Sequence, residues 1–286
     1  MGKIADKMRT DLVLRGFAAT TVSRYLALTH RFVEWTGKPP GRIVEDDVRA
    51  YLRTLLEERK IAPNGARVHI AAIKFLFRIT LERPHIVARI PWPKQPKILP
   101  EVPSPEEVRT LLDAAPDMVT LSMLMLAYGA GLRLSEVQAL RAGDIDSKRR
   151  VIHVRAGKGK KDRITILPPF LLATLRSWWR VRCGRGDHIF PGRSGKGLSK
   201  TVIARRFREA LGHSGLKRPM TFHSLRAAFA THLLENGVDV VTIQALLGHA
   251  QLSTTLRYLR LRAVHIENVQ SPLERLYAVN KAAAAK

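Results

Sequence analysis

Over residues 21–35 the apolar side chains Val22, Tyr25, Leu26, Phe32 and Val33 recur at helical spacing, and over residues 47–58 Val48, Tyr51, Leu52, Leu55 and Leu56 do the same. A third stretch, about 64–82, carries Val68, Ala72, Phe75, Leu76 and Ile79 with that period, and a shorter helix is predicted near residues 6–14. These segments predict a small all-α domain over residues 1–90. Prolines at 91, 93, 96, 100, 103 and 105 then interrupt the chain in the run IPWPKQPKILPEVPSPE. Each proline fixes its φ and lacks an amide donor, so this run is predicted to be extended, with residues 91–103 as a linker between domains.

Beyond the linker the pattern changes. Ser104 and Glu107 have the spacing of a capping box and open a predicted helix to about residue 114, while residues 119–128 form a nearly continuous apolar run that suits a buried helix. The stretch VIHVRAGKGKKDRITILP, residues 151–168, alternates apolar and polar positions on both sides of a Gly/Lys turn, which predicts a β-hairpin. Helices are expected again from about residue 201 onward. The fold class is therefore mainly α with a small antiparallel β-sheet, arranged as a second domain over residues 104–270 and a tail over 271–286. No internal repeat is visible.

Composition narrows the function. The chain has 286 residues, with 49 Lys+Arg against 24 Asp+Glu, a net charge of +25. Residues 1–98 hold 19 basic and 9 acidic side chains and the remainder 30 and 15, so both parts are basic. Such charge, interleaved with apolar residues, predicts two folded domains that face a polyanion. One cysteine, Cys183, excludes an internal disulfide framework and a thiolate-rich zinc site. No apolar run is long enough to span a bilayer and the charged start MGKIADKMRTDL has no signal-peptide pattern, so a soluble, cytoplasmic, nucleoid-associated protein without membrane partners is expected.

Five short stretches carry candidate chemistry. In GAGLRLSE, residues 129–136, Arg133 follows two glycines and precedes a predicted helix start, where a phosphate would meet both a guanidinium and free amides; alone, a pairing with Glu136 explains it as well. In AGKGKKDR, residues 156–163, Lys158 sits at a hairpin tip. A nucleotide-binding P-loop is excluded there, because Ile152 occupies the position of its first glycine; Phe190 excludes it for GRSGKG. In HSLR, His223 and Arg226 are three apart and share one helix face. His249 follows Gly248, which ends a helix begun near Asp239, and Tyr258 lies between Arg257 and Arg260 in TTLRYLR. His232 reads as structural. Each residue has a bland explanation as a cap, core or solvated side chain. Together they supply what metal-free phosphoryl transfer needs: a phenol nucleophile, cations for the non-bridging oxygens, a base and an acid.

The stretches GLRLSE, GKGKKDR and HSLRAAFATHLLENGVDVVTIQALLGHAQLSTTLRY, in this order and spacing, resemble the tyrosine recombinases of the phage-integrase family, near the compact Xer, integron and transposon-type members. The resemblance covers residues 104–262 closely and the helical N-terminal part more loosely. It implies a helical core-binding (SAM-like) domain followed by an α+β catalytic domain, the two closing as a clamp on duplex DNA. The catalytic set it implies is Arg133, Lys158, His223, Arg226, His249 and Tyr258, with no cofactor and no metal. Tyr258 would form a 3′-phosphotyrosine, Arg133, Arg226 and His249 would hold the scissile phosphate, His223 would accept a proton and Lys158 would donate one. A homo-oligomer, a tetramer on paired sites, is implied, with room for a second recombinase or an accessory protein, and a mobile genetic element is the expected setting. Ala227 stands where the family often has histidine, the stretch after Tyr258 is less typical, and the insertion of integron integrases before HxxR is absent. A type IB topoisomerase-like relaxing enzyme and a non-catalytic DNA-binding protein are the alternatives. The proline-linked core-binding domain argues against the first, and the presence of all six residues against the second.

Overall fold

The computed structural model describes residues 2–94, 102–155, 162–182, 186–192 and 195–248. The chain divides into two compact units, residues 1–98 and 99–286.

The first unit is all helical: α1 Gly2–Leu14, α2 Ala19–Thr36, α3 Glu45–Arg53, α4 Pro63–Phe75 and the short α5 His85–Ala88. Both α3 and α4 run on into a π turn, Thr54–Glu58 and Leu76–Thr80. Gly37, at φ 62°, closes α2 in the left-handed conformation that an L side chain adopts only with strain. The core gathers Met8, Leu12, Val22, Phe32, Val48, Tyr51, Leu55, Ile70, Ile73 and Phe77. Two expected faces differ from this. Leu56 is exposed at the π turn after α3, and the buried side of α4 is Ala66, Ile70, Ala72 and Ile73, continued by Leu76 and Phe77 of the π turn, while Val68, Phe75 and Ile79 of the expected stripe are only half-buried. Ala72 and Leu76 of the expected stripe are fully buried; the rest is displaced because the segment is apolar nearly all round, so several stripes fit its sequence, and the π turn shifts the phase of the last one.

Just beyond α5, Trp92 receives Arg67 and Lys74 of α4 over its ring, each 5.0 Å from the centroid. Lys74 also donates to the Ile90 carbonyl at 2.7 Å, and Arg67 to that of Pro93 at 3.3 Å. Residues 91–94 have no regular structure, as the prolines predict.

The second unit begins with α6 Pro105–Asp113, where Ser104 accepts from the Glu107 amide and Glu107 accepts from the Ser104 amide, so the capping box forms. Pro105 is the first helical residue, a position that needs no amide donor. The central helix is α7 Met118–Gly129, apolar on all sides as a buried helix should be. After α8 Leu134–Ala139 comes a three-stranded antiparallel sheet of β1 Ile145–Asp146, β2 Val151–Val154 and β3 Arg163–Ile166 in that order. The hairpin forms with Val154 opposite Arg163 and Ile152 opposite Thr165.

Helix α9 Pro169–Val181 was not expected from the sequence. Its opening Pro168 and Pro169 look like a break, yet a proline at the first helical position starts a helix, and Leu171 and Leu175 bury one side. The unit continues through α10 Lys200–His213, α11 Phe222–Glu235 and α12 Val240–Leu247. The main core joins α6, α7, α9, α10 and the sheet through Leu111, Leu124, Leu126, Ile152, Leu171 and Phe207. Ala227, Phe229, Ala230 and Leu234 seat α11 on Ile243 and Leu247 of α12. Ala227 is thus a packing residue. His232 is structural, its Nδ1 3.1 Å from the Tyr128 hydroxyl. Among the described residues, no helix is long and apolar enough to cross a membrane.

Candidate active site

Gly131 starts the site. It lies at φ 64°, and a Cβ there would stand 2.6 Å from the Phe229 ring, so the turn out of α7 needs glycine on both counts. This turn delivers Arg133 to the N-cap position of α8. Its backbone amide donates to Glu136 Oε2 at 2.7 Å and its Nη1 to Oε1 at 2.8 Å. The pairing with Glu136 and a presentation toward a ligand coexist, because the Arg133 side chain remains 20% exposed.

Glu136 is the centre of the arrangement, with its side chain only 5% exposed. Arg163 closes on it with two parallel bonds, Nη1 to Oε1 and Nη2 to Oε2, both 2.7 Å. Arg226 Nη1 stands 3.7 Å from Oε2. Burial pushes the Glu136 carboxyl upward, but the Arg163 bonds and charge, then the Arg133 bonds, outweigh it and hold the pKa at about 2. Three guanidinium groups around one ionised carboxylate leave a net charge of +2 in a largely buried cluster, a field that attracts an anion at its open side.

Helix α11 supplies the next two residues. His223 and Arg226 stand one turn apart, as their spacing requires, with Thr221 as N-cap. Arg226 is fully buried; its Nη1 donates to the Gly131 carbonyl and its Nη2 to that of Leu247 at 2.5 Å. Arg226 is thus held by carbonyls inside the unit, whereas Arg133 is accessible as it stands. His223 is exposed, on a groove that it lines with Arg133, Lys200, Thr201, Arg208 and Thr221. Although the residue faces solvent, its ring is partly desolvated by its neighbours; that desolvation, then the charges of Arg226 and Arg133, lower its pKa from the ordinary histidine value and favour the neutral imidazole, which can accept a proton.

The last turn of α12 closes the far side. Arg163 Nε donates to the Leu246 carbonyl at 2.8 Å, beside the bond from Arg226 to Leu247. These carbonyls have no partner within the helix, and cations favour that end of its dipole. Gly248 caps α12 at φ 61°. Of the six residues expected from the sequence, Arg133, His223 and Arg226 are brought together; Lys158, His249 and Tyr258 lie outside the described residues.

Glu136 and Arg163 were missed as site residues, although both fall inside the quoted motifs. The signal for Arg163 was the hairpin's alternation. On β3 the inward positions are Arg163 and Thr165, while Ile164 and Ile166 are exposed. A strand with its apolar residues outward and an arginine inward marks a buried ion pair rather than an ordinary core face.

Comparison with known proteins matches both units. Residues 102–265 match the phage integrase family, and residues 4–86 match the phage integrase N-terminal SAM-like domain. The Sinorhizobium fredii protein y4qK, named as an integrase/recombinase, is 41% identical over 278 residues, covering 96% of this chain and 90% of that protein. Tyrosine recombinase XerA of Thermococcus onnurineus is 33% identical over 280 residues, covering 94% and 95%. In fold, a lambda integrase tetramer bound to a Holliday junction is similar, with a TM-score of 0.72 at 22% identity, over 89% of this chain and 76% of that one. With both units matched in sequence and the arginine cluster at the heart of the second, the chain belongs to the phage integrase family and is a tyrosine recombinase.

Proposed function

We propose that this protein cuts and rejoins DNA at specific sites through a 3′-phosphotyrosine intermediate, in the service of a mobile genetic element. The observation that carries the reading is the cluster of Arg133, Arg163 and Arg226 about Glu136, with His223, whose pKa the cluster's charges help to lower, on the adjoining groove. It offers a preorganised positive site for the charge that gathers on phosphate oxygens during transfer, next to a group able to take a proton.

In this scheme the Tyr258 phenolic oxygen attacks the scissile phosphorus. The O–P bond to tyrosine forms, the bond from phosphorus to the 5′ oxygen breaks, the phenol proton passes to His223, and the leaving oxygen takes a proton from Lys158. Arg133, Arg226 and His249 hold the non-bridging oxygens. Bond energy stays in the phosphotyrosine, so a 5′-hydroxyl from another strand reverses the step without a nucleotide cofactor. The net charge of +25 and the basic balance of both units support a clamp on duplex DNA. The tetrameric lambda integrase assembly of like fold supports a working unit of four copies on paired sites.

The test is strand exchange between two labelled duplexes carrying the cleavage site, with chelator present and no nucleotide. Recombinant duplexes are expected. Relaxation of a supercoiled plasmid without any exchange would contradict recombination and favour a topoisomerase-like role.

A further inference from the structure

Arg163 belongs to the positive cluster but handles no bond or proton in the scheme above, and all three of its nitrogens are engaged. Its side chain is 6% exposed. Nη1 and Nη2 each bond Glu136 at 2.7 Å, and Nε bonds the Leu246 carbonyl at 2.8 Å. A Cβ added at Gly248 would lie 2.6 Å from its Cδ, so Gly248, the cap of α12, packs directly against its stem. One guanidinium on β3 thereby touches α8 through the carboxylate that holds Arg133, and touches α12 beside the carbonyl that holds Arg226. The sequence leads from Gly248 straight into His249, and from β3 back within five residues to Lys158. All three Arg163 nitrogens already make bonds within the protein and the side chain is 6% exposed, so it is not presented to a phosphate as Arg133 is.

We infer that Arg163 is a positioning residue for strand cleavage: it locks Glu136 and the last turn of α12 together, and so sets the placement of Arg133, Arg226 and the chain entering His249. This rests on the strand-transfer reading above. Lysine cannot replace it, because one ammonium cannot give a planar two-point bond to a carboxylate together with a third bond from the stem side. A small displacement of catalytic groups is enough to slow chemistry greatly while leaving DNA binding, which is spread over many charges, almost unchanged.

The experiment compares the full-length native protein with Arg163→Lys, Arg163→Ala and the double variant Arg163→Ala, Glu136→Gln. The substrate is a nicked duplex carrying the site that the native protein cleaves, and the readings are the single-turnover rate of covalent adduct formation, DNA affinity and thermal unfolding. Arg163→Lys is expected to fold cooperatively, to bind DNA as the native protein does, and to cleave about 100-fold more slowly. Arg163→Ala should gain a second acid limb beside the one set by His223, because Glu136 loses the partner that most lowers its pKa and protonates at higher pH; the double variant should keep only the His223 limb. Native-like cleavage by Arg163→Lys would overturn the inference. So would slow cleavage fully accounted for by lost folding or lost affinity, which makes the contact a matter of stability alone. A native protein that forms no adduct would instead defeat the strand-transfer reading itself, and the inference would fall with it.

Discussion

Glu136 shows how a buried charge is tolerated when its partners are rigid. All four bonds to its two oxygens come from Arg133 and Arg163. Its pKa is depressed from 4.5 to about 2, so its contribution to stability is complete above about pH 4.5 and is lost as pH falls toward 2, with a magnitude of about 3 kcal/mol. Glu136→Gln should therefore be less stable than the native protein at neutral pH, and the gap should narrow between pH 5 and pH 3 in urea titrations. A gap independent of pH would mean that the carboxylate is not held ionised by these arginines. His223 makes the opposite kind of prediction. As the proton acceptor it must be neutral, so single-turnover cleavage should decline as pH falls through its lowered pKa, with a midpoint below 6.5. Replacing it with glutamine should slow cleavage by about 100-fold or more and remove that limb. A limb that survives the substitution would assign the proton to another group.

Among the elements, the turn from α7 into α8 is the one on which the site most depends. Gly131→Ala would force a side chain into a left-handed backbone and against Phe229, and should cost about 2 kcal/mol or more in thermal unfolding experiments. A neutral effect would show that this turn yields freely. The same scale explains what the sequence could reveal. Helices with a clear apolar stripe, such as α2 and α3, and the paired strands β2 and β3 were legible because one local period dominates each. The inward face of α4 was legible only at Ala72 and, in the turn after it, Leu76, since Val68, Ile70, Ile73 and Phe75 offer competing stripes and a π turn resets the phase. Helix α9 was hidden by Pro168 and Pro169, which end one element and begin the next. In the site, Arg133, His223 and Arg226 could be named from motif order, but Arg163 could not, because its importance lies in contacts with residues 27 and 83 positions away. Sequence spacing carries no record of such meetings.

For the whole molecule, the decisive property is charge carried by folded units on both sides of a proline-rich segment. DNA affinity should fall linearly with the logarithm of salt concentration, and Lys200→Ala or Arg208→Ala, on the groove beside His223, should each flatten that slope by about 1. An unchanged slope would place the groove away from the phosphates. These are properties of binding, which a protein without catalytic power would share. Chemistry is what separates the two, and the direct measurement is covalent trapping. The native protein and its Tyr258→Phe variant are incubated with supercoiled DNA spanning the regions that flank the gene, quenched with detergent and examined for protein-linked strands. An adduct in the native protein, joined through a 3′ phosphate and absent from the variant, is the predicted result. Equal adducts in both, or none in either while both bind the DNA, would contradict Tyr258 as the nucleophile and with it the strand-transfer account.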